Sequence, residues 1–367
     1  MMNTSVAKIN LSNLRHNIRE YRNLIGETTQ MIAVIKADGY GHGVMPVSRI
    51  AHEEGIDFFA ISRVKEGIEL KEAGIMGNII ILGGTLPEEM KSAVEYDLIP
   101  TVYNIEQLQA LEDAAAGKDK KAKFHLKIDT GMHRLGVKCG SELEKFLDAL
   151  DDMENVYLSG VYSHFAVSDV DPVYTKEQHM LFTEALRDIH KREYMPNAHI
   201  SNSAAIASFE AYNLDFVRLG IGMYGLNPQN RESVNLKPVM SLHAHIVHIH
   251  EIEKGETVSY GRMFKAKRKT KVAVLPIGYA DGYPRILSNK AQVLIGGKRC
   301  NLIGTVCMDH VMVDVTDVDC QLGDEVVMIG QQGDEEVTAK ELADLAGTIH
   351  YEIVTGIQKR IKRVYIE

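Results

Sequence analysis

Lys36 closes the apolar run Met31–Ile35 and is followed at once by Ala-Asp-Gly-Tyr-Gly-His-Gly (37–43). A lysine at the end of a buried strand loses hydration, which lowers its pKa and frees the amine as a nucleophile. Taken alone, such a lysine could equally snorkel out to water. The residues around it favour chemistry. Glycines let backbone approach a ligand closely, and Tyr40 offers a hydroxyl donor suited to an anion such as phosphate. Ser201-Asn202-Ser203-Ala204-Ala205 brings a hydroxyl and backbone N–H groups, and Arg218-Leu219-Gly220-Ile221-Gly222 a guanidinium between apolar residues. One amine nucleophile beside an anion site suggests pyridoxal 5'-phosphate (PLP), whose aldehyde condenses with lysine.

Something must bring these segments together. Strand-like runs recur at Met31–Lys36, Phe58–Val64, Asn78–Leu82, Ile99–Tyr103, Lys123–Asp129, Leu158–Phe165, Ala198–Ser203 and Phe216–Gly220. Amphipathic helical stretches lie between them, such as Val44–His52, Arg63–Ala73, Glu142–Leu150 and Glu177–His190. Eight such alternations predict a (β/α)8 TIM barrel; a doubly wound open sheet competes, and the count of eight favours closure. The runs end on Lys36, Lys127 with Asp129, His164, Asn202 with Ser203, and Arg218, a ring of polar groups at the carboxyl-terminal mouth where barrels do their chemistry. Ser203 and Arg218 close the seventh and eighth runs, whose loops often take phosphate.

After about Pro228 the texture changes. Val239–His250, Lys271–Ile277, Ala291–Ile295, Leu302–Val306, Val311–Val315 and Glu325–Ile329 read as strands, and only Ala339–Ala346 as a good helix. The expected organisation is a barrel over 1–232, its first ten or so residues free to pair with a mostly β domain over 233–367.

The chain has 367 residues, 45% hydrophobic and 25% charged, with a net charge of −9. Acids and bases are interspersed, so no basic face for nucleic acid is expected. No run approaches the length of a membrane span, and the amino terminus has no apolar targeting core, so a cytoplasmic location is expected. Cys139, Cys300, Cys307 and Cys320 lack metal-binding or redox spacing. His243, His245, His248 and His250 invite a metal reading, but their spacing skips phase and no cysteine or acidic cluster completes a set; no metal is expected. The lysine precedes the glycines, so the loop at 36–43 is no Walker motif.

In order along the chain stand K-A-D-G-Y-G-H-G, L-K-I-D-T-G-M-H-R-L-G, V-Y-S-H-F-A, S-N-S-A-A, V-R-L-G-I-G-M-Y-G-L, V-S-Y-G-R, P-I-G-Y-A-D-G-Y, V-C-M-D and T-I-H-Y-E. With these nine motifs the sequence resembles the alanine racemases, PLP enzymes built from an amino-terminal barrel and a carboxyl-terminal β domain. The resemblance implies interconversion of L- and D-alanine, with D-alanine supplied to peptidoglycan. It implies that Lys36 holds PLP and exchanges the α-proton on one face of the substrate, and that Tyr260 of a partner subunit acts on the other. Tyr40, Ser203, Gly220, Ile221 and Tyr351 would hold the cofactor's phosphate and ring. Arg218 would face the pyridine nitrogen, oriented by His164, and both would lower the pKa of the Tyr260 phenol. Arg134 and the backbone of the partner's Met308 would bind substrate carboxylate, and Tyr279 would wall the pocket. Lys127 matches a lysine that is carbamylated in many members. A shared site implies a homodimer.

The departures are modest. Asp38-Gly39 replaces Asn-Ala, His133 stands where glycine is common, His350 replaces asparagine, and Lys362 takes a proline position. His133 and His350 bear on substrate preference, so a serine or broad-specificity racemase is the nearest rival. A decarboxylase of the same architecture resembles different motifs, and a non-catalytic PLP-homeostasis protein would be a lone barrel.

Overall fold

The computed structural model describes residues 4–228 and 234–367. The expected junction between residues 232 and 233 lies outside the described residues. The chain forms two compact units: Leu14–Gly39 with the described part of Val44–Lys237, and residues 4–13, Tyr40–Gly43 and Pro238–Glu367.

Strand β1 (Ser5–Asn10) belongs to the second unit. The first unit is built on β2 (Gln30–Val34), β3 (Phe58–Ile61), β4 (Asn78–Ile81), β5 (Leu98–Val102), β6 (Ala122–Asp129), the two-residue β7 (Val137–Lys138), β8 (Val156–Tyr162), β9 (Asn197–His199) and β10 (Phe216–Leu219). Without β7, which pairs only with the end of β6, these strands pair in parallel in the order 5-4-3-2-10-9-8-6, and β5 with β6 closes the ring. This is an eight-stranded parallel barrel. Helices return the chain between strands, and the side chains they bury recur at helical spacing: Leu143, Phe146, Leu147 and Leu150 on the helix Ser141–Asp151, for example. Short polar residues start these helices by accepting otherwise orphaned N–H groups: Asn104 from Gln107, Asp171 ahead of Pro172 from Val173 and Tyr174, and Asn202 from Ala205.

The second unit is mostly β. It contains β11 (Met240–His245), β12 (His248–Ile252), β13 (Thr257–Val258), β14 (Phe264–Lys265), β15 (Thr270–Leu275), β16 (Gln292–Ile295), β17 (Lys298–Asn301), β18 (Val311–Asp314), β19 (Glu325–Gln332), β20 (Glu335–Val337) and β21 (Lys362–Ile366). β1 lies between β11, antiparallel to it, and β21, parallel to it. Three sequence expectations need correcting here. The run Val239–His250 is two strands in different sheets, so His243 and His245 are separated from His248 and His250; the latter pair stack at 5.1 Å. Leu302–Val306 is no strand: Leu302 makes a single bridge to Val313 and the chain turns at Gly304, φ +75°. A second helix, His350–Gly356, follows Ala339–Ala346 after the left-handed cap at Gly347. Among the described residues no group of His, Cys, Asp and Glu is placed to hold a metal. No helix among them is long and apolar enough to cross a membrane.

Candidate active site

Strand β2 stops at Val34, two residues before Lys36. Lys36 opens a turn in which Ala37, Asp38, Gly39 and Tyr40 all have φ between +53° and +60°. This is one turn of left-handed helix, three of its residues bearing side chains, a conformation that costs roughly 1–2 kcal/mol per such residue. It is closed by Gly39 N–H to Ile35 O (2.9 Å) and tied by Val44 N–H to the Asp38 carboxylate (2.9 Å). The glycines of 39–43 are demanded by the chain itself: a Cβ on Gly41 would lie 2.5 Å from Val354 O and one on Gly43 2.0 Å from the Tyr365 hydroxyl. The sequence reading, that they make room for phosphate, is not needed to explain them. The half-buried Lys36 amine makes no hydrogen bond or ion pair among the described residues. Burial, then the charge of Arg134, lowers its pKa, with Arg218 adding to the fall and Glu66 opposing it.

Around the same barrel mouth stand residues from β6, β8, β9 and β10. Lys127 on β6 is buried, with its amine 4.3 Å from the centre of the Tyr162 ring and no hydrogen-bond or ion-pair partner among the described residues. Burial, then Arg218 and Arg134, holds its pKa well below that of an ordinary lysine. At the end of β6, the Asp129 carboxylate accepts the N–H groups of Gly131 and His133 and pairs with His133 Nδ1, all at 3.0 Å. His133 has φ +52°, the left-handed region that favours glycine, and the carboxylate holds it there. Arg134 follows on this loop, exposed.

Arg218 on β10 is buried and has no carboxylate partner among the described residues. Its guanidinium donates to the carbonyls of Ser163 (2.8 Å), Ile200 (2.9 Å) and His199 (3.3 Å), to His199 Nδ1 (2.6 Å) and to His164 Nδ1 (3.0 Å). Burial lowers its pKa to about 10, so it stays charged at neutral pH. Since guanidinium only donates, both imidazoles accept through Nδ1 and carry their proton on Nε2. Burial, then Arg218, holds His164 and His199 well below the usual imidazole value. His164 therefore contacts Arg218, but as a neutral ring; it supplies no positive field for a phenol, which corrects the sequence expectation on that point.

Ser203 starts the helix Ser203–Ser208, and its Oγ accepts the N–H groups of Gly220 (2.9 Å) and Gly222 (3.3 Å). Ile221 is buried beside them. Lys36, Lys127, Arg134, His164, Ser203, Arg218, Gly220 and Ile221 thus all belong to the barrel unit.

Tyr40, Tyr351, Tyr260 and Met308 belong to the β unit. Tyr40 and Tyr351 have ring centres 6.2 Å apart, and burial pushes the Tyr40 phenol up to about 12, keeping it a neutral donor. Tyr260 is 72% exposed, so it is no plug of a core. A strained turn presents it: Ser259, Gly261 and Arg262 have φ of +66°, +72° and +53°. Thr305 Oγ1 donates to Tyr260 O (2.7 Å), while Ser259 Oγ donates to Thr305 O (2.6 Å). Met308 is 53% exposed; its carbonyl accepts Ala280 N–H at 3.0 Å.

Sequence reading missed the barrel's inner network. His199 Nε2–H meets His125 Nδ1 at 3.0 Å, Tyr162 stacks on His199 at 4.8 Å, and Thr101 Oγ1 bonds the Tyr162 hydroxyl at 2.7 Å. A bulge between Phe124 and His125, and the absence of a Cβ at Gly160 (it would lie 2.4 Å from His125 Nε2), make room for the His125 ring. The signal available was period two: His125, Lys127 and Asp129 share one face of β6.

Residues 9–228 match the family model described as alanine racemase, N-terminal domain, and residues 239–365 that described as alanine racemase, C-terminal domain. An alanine racemase of Halothermothrix orenii is 43% identical over 98% of this chain and 96% of its own. The solved alanine racemase of Clostridium difficile 630 covers 100% of this chain and 97% of that one, with TM-score 0.94 at 36% identity. The alanine racemase of Bartonella henselae, solved with covalently bound pyridoxal phosphate, covers 100% of both chains with TM-score 0.91 at 28% identity.

Proposed function

The chain belongs to the alanine racemase family, and from that premise we propose that it interconverts L- and D-alanine with PLP carried on Lys36. When bound, PLP supplies an electron-withdrawing ring that acidifies the substrate's α-proton. The residues present fit it. Lys36 offers an amine whose neutral form is favoured; Ser203 offers a hydroxyl proton and Ile221 a backbone N–H for phosphate, in a turn fixed by Gly220 N–H on Ser203 Oγ; Tyr40 offers a neutral phenol beside Tyr351. The observation that carries the reading is the partnerless Lys36 amine at the barrel mouth, in the cationic field of Arg134 and Arg218.

Each side chain then has a task. Lys36 accepts or returns the α-proton on one face. Tyr260 of a second copy does so on the other, its exposure leaving the hydroxyl available to a neighbouring chain. Arg218, whose Nη atoms are taken by His199, Ser163, His164 and Ile200, would hold the ring nitrogen of the cofactor with its remaining N–H and would keep its own proton. Its hydrogen bonds to His164 and His199 fix that donor in place. Arg134 and the backbone N–H of the second copy's Met308 hold the substrate carboxylate, and Tyr351 and Tyr279 restrict the side chain to the size of a methyl group. The product D-alanine would serve peptidoglycan synthesis in the cytoplasm.

The test is exchange in deuterated water. L-alanine should lose optical rotation and gain α-deuterium together, faster than L-serine does, and on sedimentation this activity should travel with a dimer. A fully active monomer, or faster turnover of L-serine, would overturn the corresponding part of the reading.

We also propose that the Lys127 amine adds carbon dioxide, forming an N–C bond and releasing one proton, to give a carbamate. A neutral amine is the reactive form, and burial among cations keeps Lys127 neutral. The carboxylate formed would lie in the field of Arg134 and Arg218 and offset their charge. Native mass spectrometry at bicarbonate saturation should show one added carbon dioxide per chain, absent from Lys127→Ala; an unmodified mass would reject this.

A further inference from the structure

Lys36 leads directly into backbone that L-residues avoid, Ala37, Asp38 and Tyr40 all having positive φ, and its own side chain does nothing to hold that turn. Within the turn, Gly39 N–H reaches Ile35 O, and the Asp38 carboxylate is engaged by Val44 N–H. The amide that directly follows Lys36, Ala37 N–H, is held from outside, by Glu66 Oε1 at 2.9 Å. The other oxygen of the same carboxylate accepts Ser62 N–H (2.7 Å) and Arg63 N–H (3.0 Å), the residues just beyond β3. One side chain therefore bridges the loops leaving two adjacent barrel strands, at the end of the barrel where Lys36 emerges.

From this geometry we infer that Glu66 is the positioning residue of Lys36, pinning the left-handed turn so that the amine is fixed over the barrel mouth. The inference deepens the PLP reading and rests on it for what Lys36 does. Glu66 lies in the first turn of the helix Val64–Glu72 and also closes its capping box through Arg63 N–H. A cap alone, however, needs only one of the two oxygens. The second points away from its own helix to Ala37. Glu66 is also the one anion among the charges acting on Lys36, opposing the fall in its pKa that Arg134 and Arg218 reinforce. One carboxylate oxygen serves Ala37 N–H and the other serves both Ser62 and Arg63 N–H; an amide of the same shape has one acceptor, which the side with two N–H groups claims, leaving Ala37 N–H unfilled.

The experiment compares the full chain with Glu66→Gln and Glu66→Ala by hydrogen exchange, PLP loading and steady-state kinetics. Both variants should release the Ala37 amide, with exchange at least about tenfold faster, while the remainder of the barrel keeps its protection. PLP should load at Lys36 more slowly, and kcat should fall by about 10²-fold with KM for alanine little changed, as expected when a reacting group is misplaced by about an ångström. If Glu66 only caps its helix, exchange will quicken along Val64–Glu72 while Ala37, PLP loading and kcat stay as in the parent; that pattern overturns the inference. Should Glu66→Ala fail to fold, Glu66→Gln, which keeps the shape, decides alone. A chain that takes no PLP, but whose Ala37 amide is released by Glu66→Gln, would sink the cofactor reading and leave the pin standing.

Discussion

Lys36→Ala should leave a folded chain with racemisation reduced by on the order of 10⁴-fold or more, since the substitution removes both the covalent tether and one of the two proton-transfer groups. The fold has little reason to suffer. The Lys36 amine contributes no hydrogen bond or ion pair among the described residues, and removing a partly buried cation beside Arg134 and Arg218 relieves repulsion; the melting temperature should stay within about 4 °C of the parent's. The pH profile gives a second, independent reading. Burial and two arginines favour the neutral amine, so the rising limb of kcat, which reports the enzyme with substrate bound and the Lys36 amine free, should lie below the ordinary lysine value of 10.5. Arg134→Gln, which takes away the larger of the two charge effects, should move that limb upward. Retention of more than about a hundredth of the α-deuterium exchange by Lys36→Ala would exclude the amine as the base.

The barrel was legible because each of its strands is buried on both faces, which writes a short apolar run, and because several of those runs end on a polar residue. Lys36, His164, Ser203 and Arg218 were found that way. What remained hidden has physical causes. The turn at 37–40 reads as a flexible, glycine-rich loop, yet Ala37 and Asp38 take the same left-handed conformation as Gly39. No local pattern announces this, because it is held by a carboxylate contributed by Glu66, an unremarkable first-turn acid of the helix that follows β3. His125 and His199 were passed over because each sits within an apolar run, where a polar residue can face either way. Only the closure of the ring, with the bulge at His125, sets their rings against each other. In the second unit, Val239–His250 reads as one run because the switch of sheet at Ile246–Val247 costs no apolar residue. Glycine at 304 was the missed signal that Leu302–Val306 could not continue.

Acidification should unfold the barrel unit well before ordinary carboxylates protonate. His125 and His199 are buried and His164 half-buried, with no carboxylate partner among the described residues, and all three are held neutral: burial, then Arg218, pushes His125 down to about 3 and the other two well below 6.5. The unfolded chain takes up these protons near 6.5 and the folded one does not, so stability is fully present above that value and is lost as pH falls below it. For three such histidines the loss between pH 7 and pH 5 is at most about 6 kcal/mol, the limit reached when none of them takes up a proton in the folded state. Each ring is fixed by what it accepts from or passes on. Arg218 occupies Nδ1 of His164 and of His199, and His199 in turn occupies Nδ1 of His125. A proton can therefore enter these contacts only by breaking a hydrogen bond and placing a second cation beside a buried guanidinium. Urea unfolding followed by circular dichroism should show the midpoint falling steeply from pH 7 to pH 5. His125→Asn keeps an acceptor for His199 but cannot titrate, so it should flatten that fall by about a third. A midpoint that holds steady to pH 5 would mean that the three rings are charged in the folded state, and with that the assignment of Arg218 as donor to His164 and His199, and of His199 as donor to His125, would go.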